Sequence, residues 1–137
     1  MNVRLLAFTE KGMTLAKSLA RALGGSAQRC APPLTLASWT ADAFAQADAL
    51  VYVGAVGIAV RAVAPHVRSK AQDPAVVAVD ECGRFAVPLL SGHLGGANVL
   101  ARRIAGVCGA VPVITTATDV NGVFAVDCWA KRQNCVV

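Results

Sequence analysis

Twice in its first 64 residues the chain passes from a short apolar run to a segment with helical apolar spacing. Val3 to Phe8 reads as a buried strand, and Leu15, Ala16, Leu19, Ala20 and Leu23 then recur at helical intervals until Gly24-Gly25 stops them. Ala49 to Val53 is the second strong strand. It runs straight into a turn, Gly54 to Gly57, and a helical stretch, Ile58 to Ala64, that Pro65 ends. A strand that must bury both faces and is followed at once by an amphipathic helix is the unit of a helix-covered sheet. The expected fold is therefore α/β: a three-layer α/β/α domain with a mainly parallel sheet.

The remaining segments extend this pattern. Ser26 to Ser38, with Pro32-Pro33, reads as a short strand with loops, and Thr40 is placed to cap a brief helix through Gln46. A turn from Lys70 to Pro74 precedes a strand at Ala75 to Val79. Asp80 to Arg84 then turns the chain into a second extended run, Phe85 to Leu90, giving a β-hairpin whose Pro88 belongs at a sheet edge. Ala97, Leu100, Ala101, Ile104, Ala105 and Cys108 form one apolar helix face that Gly109 closes. Val111 to Thr115 reads as a strand, Thr116 to Gly122 as a polar loop, and Asp127 to Arg132 as a last short helix. With no repeat and no linker, residues 1–137 read as one domain.

Composition narrows the function classes. The charge-free run Ile104 to Thr118 is too short to span a bilayer and is broken by Gly106, Gly109 and Pro112, so no membrane association is expected. The opening run Leu5 to Phe8 is no secretory core, which makes the expected compartment the cytoplasm. Five cysteines, Cys30, Cys82, Cys108, Cys128 and Cys135, contain no C-x-x-C pair, so neither a disulfide framework nor a protein metal site is expected. A net charge of +5 favours an anionic partner. Because the 13 basic residues are scattered and only one Tyr and two Trp can stack on bases, that partner is a small polyanion rather than nucleic acid.

Nine of the 12 glycines lie between Gly54 and Gly122, and they concentrate attention on three loops. In a parallel α/β sheet, ligands collect in the crevice at the carboxyl ends of the strands. At Gly54 to Gly57, backbone N–H groups at a helix start can face an anion, with Arg61 one turn later as a second donor, although the same glycines also serve tight helix–sheet packing. The spacing is not that of a P-loop, and the P-loop lysine is absent. At Ser91 to Asn98, Gly92, Gly95 and Gly96 permit an unusual turn, while Ser91 and His93 bring a hydroxyl and an imidazole suited to nucleophilic or general-base work. A plain capping role is the alternative. In the third loop, Thr115, Thr116, Thr118, Asp119 and Asn121 offer hydroxyls, an amide and a carboxylate, which equally form a helix cap and turn. Asp73, Asp80 and Glu81 read as turn residues, Arg68, Lys70 and Arg84 as solvated unless the fold directs them into the crevice, and His66 as a helix-end residue without a role.

Taken together, "VGAVGIAVRAVAP", "KAQDPAVVAVDECGRFAVPLLSGHLGGAN" and "PVITTATDVNGVFAVDCWA" resemble the N-terminal region of the CbiG family, the cobalt-precorrin-5A hydrolases of the anaerobic cobalamin pathway. The resemblance covers roughly residues 49–130. It implies hydrolytic opening of the δ-lactone of a cobalt-bearing contracted-ring tetrapyrrole, with release of acetaldehyde and formation of cobalt-precorrin-5B. Acetate and propionate arms on such a substrate agree with a basic domain, and the cobalt belongs to the substrate, so no separate cofactor is implied.

On that reading the catalytic candidates are His93, Ser91 and Asp119, and the substrate-binding candidates are Gly54, Gly57, Arg61, Gly95, Gly96, Asn98, Thr115, Thr116 and Thr118. His93 would activate water, with N–H groups near Gly95-Gly96 or Thr116 stabilising the oxyanion, and His93 or Asp119 would take the proton in the later carbon–carbon cleavage. An acyl intermediate on Ser91 is the competing route. Relatives of this pattern continue into a middle region and a C-terminal domain, so the expectation is either an excised or truncated domain or a separate partner chain that supplies the rest. A tetrapyrrole-binding module without catalysis, or a nucleotide-binding α/β domain, are the alternatives.

Overall fold

The computed structural model describes residues 1–91 and 96–116. Among these residues, six strands and four helices follow in the order β1 (Val3–Ala7), α1 (Glu10–Leu23), β2 (Ser26–Arg29), α2 (Leu36–Gln46), β3 (Ala49–Val53), α3 (Val56–Val63), a single 3-10 turn (Ala64–His66), β4 (Ala75–Val79), β5 (Phe85–Leu90), α4 (Ala97–Cys108) and β6 (Val111–Pro112). They build one sheet of order β2-β1-β3-β4-β5-β6, in which β2, β1, β3 and β4 are mutually parallel and β5 turns back antiparallel on β4.

The three layers follow from the period-2 alternation of the buried strands. Val3, Leu5 and Ala7, with Ala49, Val51 and Val53 and with Ala75, Val77 and Val79, pack on one face against Ala16, Leu19 and Leu23 of α1 and Leu100, Ala101 and Ile104 of α4. The intervening Leu6, Leu50, Tyr52, Val76 and Ala78 meet Trp39 and Ala43 of α2 and Ala59 and Val63 of α3 on the other. Every residue of β3 and β4 is buried, which is why those segments read as unbroken apolar runs. After β1 the chain moves outward to β2, then returns past β1 to β3. The strand order therefore reverses between β1 and β3.

Three expectations are corrected in detail. The helix of the second unit begins at Leu36, not near Thr40: the Thr35 hydroxyl accepts from the Ser38 N–H at 3.0 Å, and the Ser38 side chain reaches back to the Thr35 N–H, a reciprocal cap. Thr40 instead lies inside α2, buried and hydrogen-bonded to the Tyr52 hydroxyl at 2.8 Å. The hairpin forms as expected, but β5 is not the outermost strand along its whole length, because Val111–Pro112 pairs in parallel with Phe85 and Ala86. Pro88 lies beyond that pairing and next to a register shift at Val76/Val77, where its missing N–H costs least. The strand expected over Val111 to Thr115 shortens to two residues. Among the described residues, no helix is long and apolar enough to cross a membrane.

Candidate functional site

Antiparallel β5 decides where the chemistry-bearing loops lie. The turn containing Gly54 and Gly57 follows β3 and sits at the carboxyl ends of the parallel strands, beside the reversal point between β1 and β3. Because β5 and β6 run the other way, the segments after Leu90 and after Pro112 emerge at the amino ends of β3 and β4. The three loops expected to share one crevice are thus divided between opposite ends of the sheet.

At the carboxyl end, Gly54 is explained by packing. Its N–H donates to the Val79 carbonyl at 2.8 Å, and a β-carbon there would stand 2.9 Å from the Phe8 ring. Gly57 has open space around it, and Arg61 lies exposed in the last turn of α3, pointing the pair to different ends of that helix. Nearby, the hairpin turn holds a small charged cluster. Asp80 accepts from the N–H groups of Cys82, Arg84 and Phe85, and the Lys11 ammonium lies 3.2 Å from the Cys82 sulfur. Hydrogen bonds from Lys11 and Arg84 hold the exposed Cys82 thiol below its ordinary pKa, and the same contact raises Lys11.

At the amino end, several sequence candidates meet. Ser91 is buried and adopts φ 58°, a left-handed conformation rare for a residue with a side chain. Its hydroxyl donates to the Asp73 carbonyl at 3.1 Å, and its own carbonyl accepts from the Ala97 N–H at 3.0 Å. Gly96, at φ 85°, sets the start of α4, where no side chain caps the helix. Asn98, in the first turn of α4 and buried, donates from Nδ2 to the Thr116 hydroxyl at 2.8 Å. That bond ties the loop after β6 to the joint after β5, with Thr115 exposed beside it. Ser91, Gly96, Asn98, Thr115 and Thr116 are therefore gathered at one end, with the positive end of α4 directed at them. His93, Gly95, Thr118 and Asp119, with the last short helix expected at Asp127 to Arg132, lie outside the described residues.

Asp73 is the residue that sequence reasoning passed over. Its carboxylate accepts from the N–H groups of Arg68 at 2.9 Å and Ser69 at 3.1 Å while its carbonyl holds Ser91. The signal was available: a hairpin at Asp80 to Arg84 returns the chain to the start of β4, which Asp73 precedes.

With this geometry in place, comparison with known proteins decides the family. The model of the family described as "Cobalamin synthesis G N-terminal" matches residues 38–119, from α2 through the segment after β6. The chain belongs to this family. Within reach of the family's curated members, a cobalt-precorrin-5A hydrolase of Salmonella typhimurium is 43% identical over 97% of this chain and 40% of its own length. A second protein of that name, from Priestia megaterium, is 46% identical over 61% of this chain and 22% of its own. A solved structure described as a cobalamin biosynthesis protein G homolog, from Sulfolobus solfataricus, superposes with a TM-score of 0.69 at 25% identity, covering 89% of this chain and 40% of that one. The chain thus spans less than half the length of the relatives it matches, and the family match begins about one element earlier than the resemblance first read in the sequence.

Proposed function

We propose that this domain acts in cobalamin biosynthesis on cobalt-precorrin-5A, in the hydrolytic opening of the substrate's δ-lactone with loss of acetaldehyde. The observation that carries the reading is the 43% identity to a cobalt-precorrin-5A hydrolase over 97% of the chain. Supporting it, the joint after β5 and the segment after β6 meet at one end through the Asn98–Thr116 bond, around the start of α4, which no described side chain caps.

In this proposal His93 is the general base that activates water, and main-chain N–H groups near Gly95 and Gly96 receive the oxyanion. The Ser91 hydroxyl bears on the choice of route. In the described structure its proton is directed at a backbone carbonyl, which cannot accept it chemically, so the geometry favours attack by water over an acyl intermediate on Ser91. Asp119 serves the later carbon–carbon cleavage as an alternative base. The carboxylate-rich substrate accounts for the basic balance of the chain, net +5.

The test is an anaerobic single-turnover reaction of the 137-residue chain with cobalt-precorrin-5A, following acetaldehyde and the tetrapyrrole spectrum together. Acetaldehyde release is expected, and His93→Ala is expected to slow it about 100-fold or more, the contribution of a general base. Unchanged turnover in His93→Ala would overturn that role. Binding without release would favour the second reading, a substrate-holding domain.

A further inference from the structure

Beside the Ser91 joint the amino end of the sheet carries a cavity of about 360 Å³. Its apolar wall comes from α2, chiefly Phe44, and from Pro74, and its polar rim is His66, Arg68 and Gln72. The His66 ring lies against Phe44 with centroids 5.5 Å apart, so the imidazole is seated on the wall rather than free in solvent. The acid of this cavity, Asp73, has its carboxylate engaged by the N–H groups of Arg68 and Ser69. Those bonds fix the backbone that presents Arg68, while the Arg68 guanidinium forms no ion pair among the described residues.

From this arrangement we infer that the cavity is a carboxylate subsite: Arg68, with His66 and Gln72 beside it, binds an acid arm of the ligand while Phe44 and Pro74 cover the apolar part to which that arm is attached. The volume lies at the low end of the roughly 300–1,000 Å³ typical of small-molecule sites, enough for one arm and a ring edge rather than a whole macrocycle. A guanidinium's fork of donors matches a carboxylate's two oxygens, and an unpaired one beside an apolar wall is suited to an amphipathic acid. Placement supports the assignment, because Asp73 joins the two features: its side chain holds the cavity loop and its carbonyl holds Ser91. The inference rests on the proposed tetrapyrrole substrate and adds which residues read the substrate's periphery.

Titration calorimetry with two corrinoids separates the possibilities: cobyrinic acid, whose ring carries free carboxylates, and cobinamide, in which they are amides. The wild-type chain is expected to bind cobyrinic acid more tightly. Arg68→Gln is expected to weaken that binding about tenfold, the loss of one charge-assisted contact, and to bring the two ligands together. Ala45→Glu, which places a like charge on the exposed lip of the same cavity, is expected to do the same. Thermal melts accompany each variant, and both positions are exposed, so the fold is expected to persist. Binding by the wild type with unchanged affinity in both variants would overturn the inference alone. Failure of the wild type to bind either corrinoid would overturn the reading of the substrate and the inference with it.

Discussion

Tyr52 shows how far one buried polar group can set the behaviour of this protein. It stands at the centre of β3, fully buried, with its ring edge-on to Trp39 at 5.4 Å and its hydroxyl paired with Thr40 at 2.8 Å. Burial pushes its pKa up from 10.0 to about 12, against a smaller lowering by the Thr40 bond. The folded state therefore resists ionising a phenol that ionises readily in the unfolded chain. Its contribution to stability is complete below about pH 10 and is lost as pH rises toward 12, on the order of 2–3 kcal/mol in all. Denaturant melts of the wild type against Tyr52→Phe are expected to differ in their decline over that window. At neutral pH the variant is expected to be about 1 kcal/mol less stable, since the Thr40 hydroxyl loses its partner. An equal alkaline decline in both proteins would refute this account. The aromatic letter of Tyr52 was visible in the sequence as part of a strand; that its hydroxyl would face a threonine from the next layer was not, because that pairing crosses the sheet-helix interface.

Among the elements, α2 illustrates what local signals decide and where they compete. The sequence pattern placed the cap at Thr40, whereas the structure places it at Thr35. The decision goes to Thr35 because Ser38 completes a reciprocal cap with it and because Trp39 and Ala43 must both face the sheet, which requires a helical turn already in place before Thr40. Thr35→Ala is expected to lower stability by about 1 kcal/mol, and Ser38→Ala by less, as read from chemical denaturation. A cost for Thr40→Ala that matched a capping loss while Thr35→Ala was neutral would reverse the assignment. The strands were more legible. β3 and β4 are unbroken apolar runs because parallel strands inside a three-layer sheet have no solvent face, and such runs announce themselves. β6 was over-read: Val111 to Thr115 is apolar enough to look like a full strand, but pairing stops after Pro112.

At the scale of the molecule, Asp73 links parts of the chain far apart in sequence. Through its carboxylate it orders residues 68–69, and through its carbonyl it fastens the Ser91 joint that begins α4. Asp73→Ala is expected to cost about 1–3 kcal/mol, the loss of two part-buried hydrogen bonds to a carboxylate. It is also expected to speed hydrogen exchange at the Ala97 amide, which the Ser91 carbonyl holds. Unchanged protection at Ala97 would mean that the two attachments are independent.

The sequence by itself determined the layers, because the 2.0 and 3.6 residue periods say which faces are apolar, and glycine and proline say where each element must stop. It also contained the hairpin and, in the run from Ser91 to Asn98, the unusual joint whose left-handed Ser91 and Gly96 the structure displays. Only the tertiary structure decided which loops share an end. That depends on strand direction: β5 and β6 run against the other four strands, so Ser91, Asn98 and Thr116 lie at the opposite end of the sheet from Gly54 and Gly57, with the Ser91 hydroxyl on the Asp73 carbonyl. Periodicity records which face of a strand is buried and is blind to the way the strand runs; the hairpin implied the reversal of β5, but that β6 runs alongside it, bringing the loop after Pro112 to the same end, had to come from the pairing of β5 with β6.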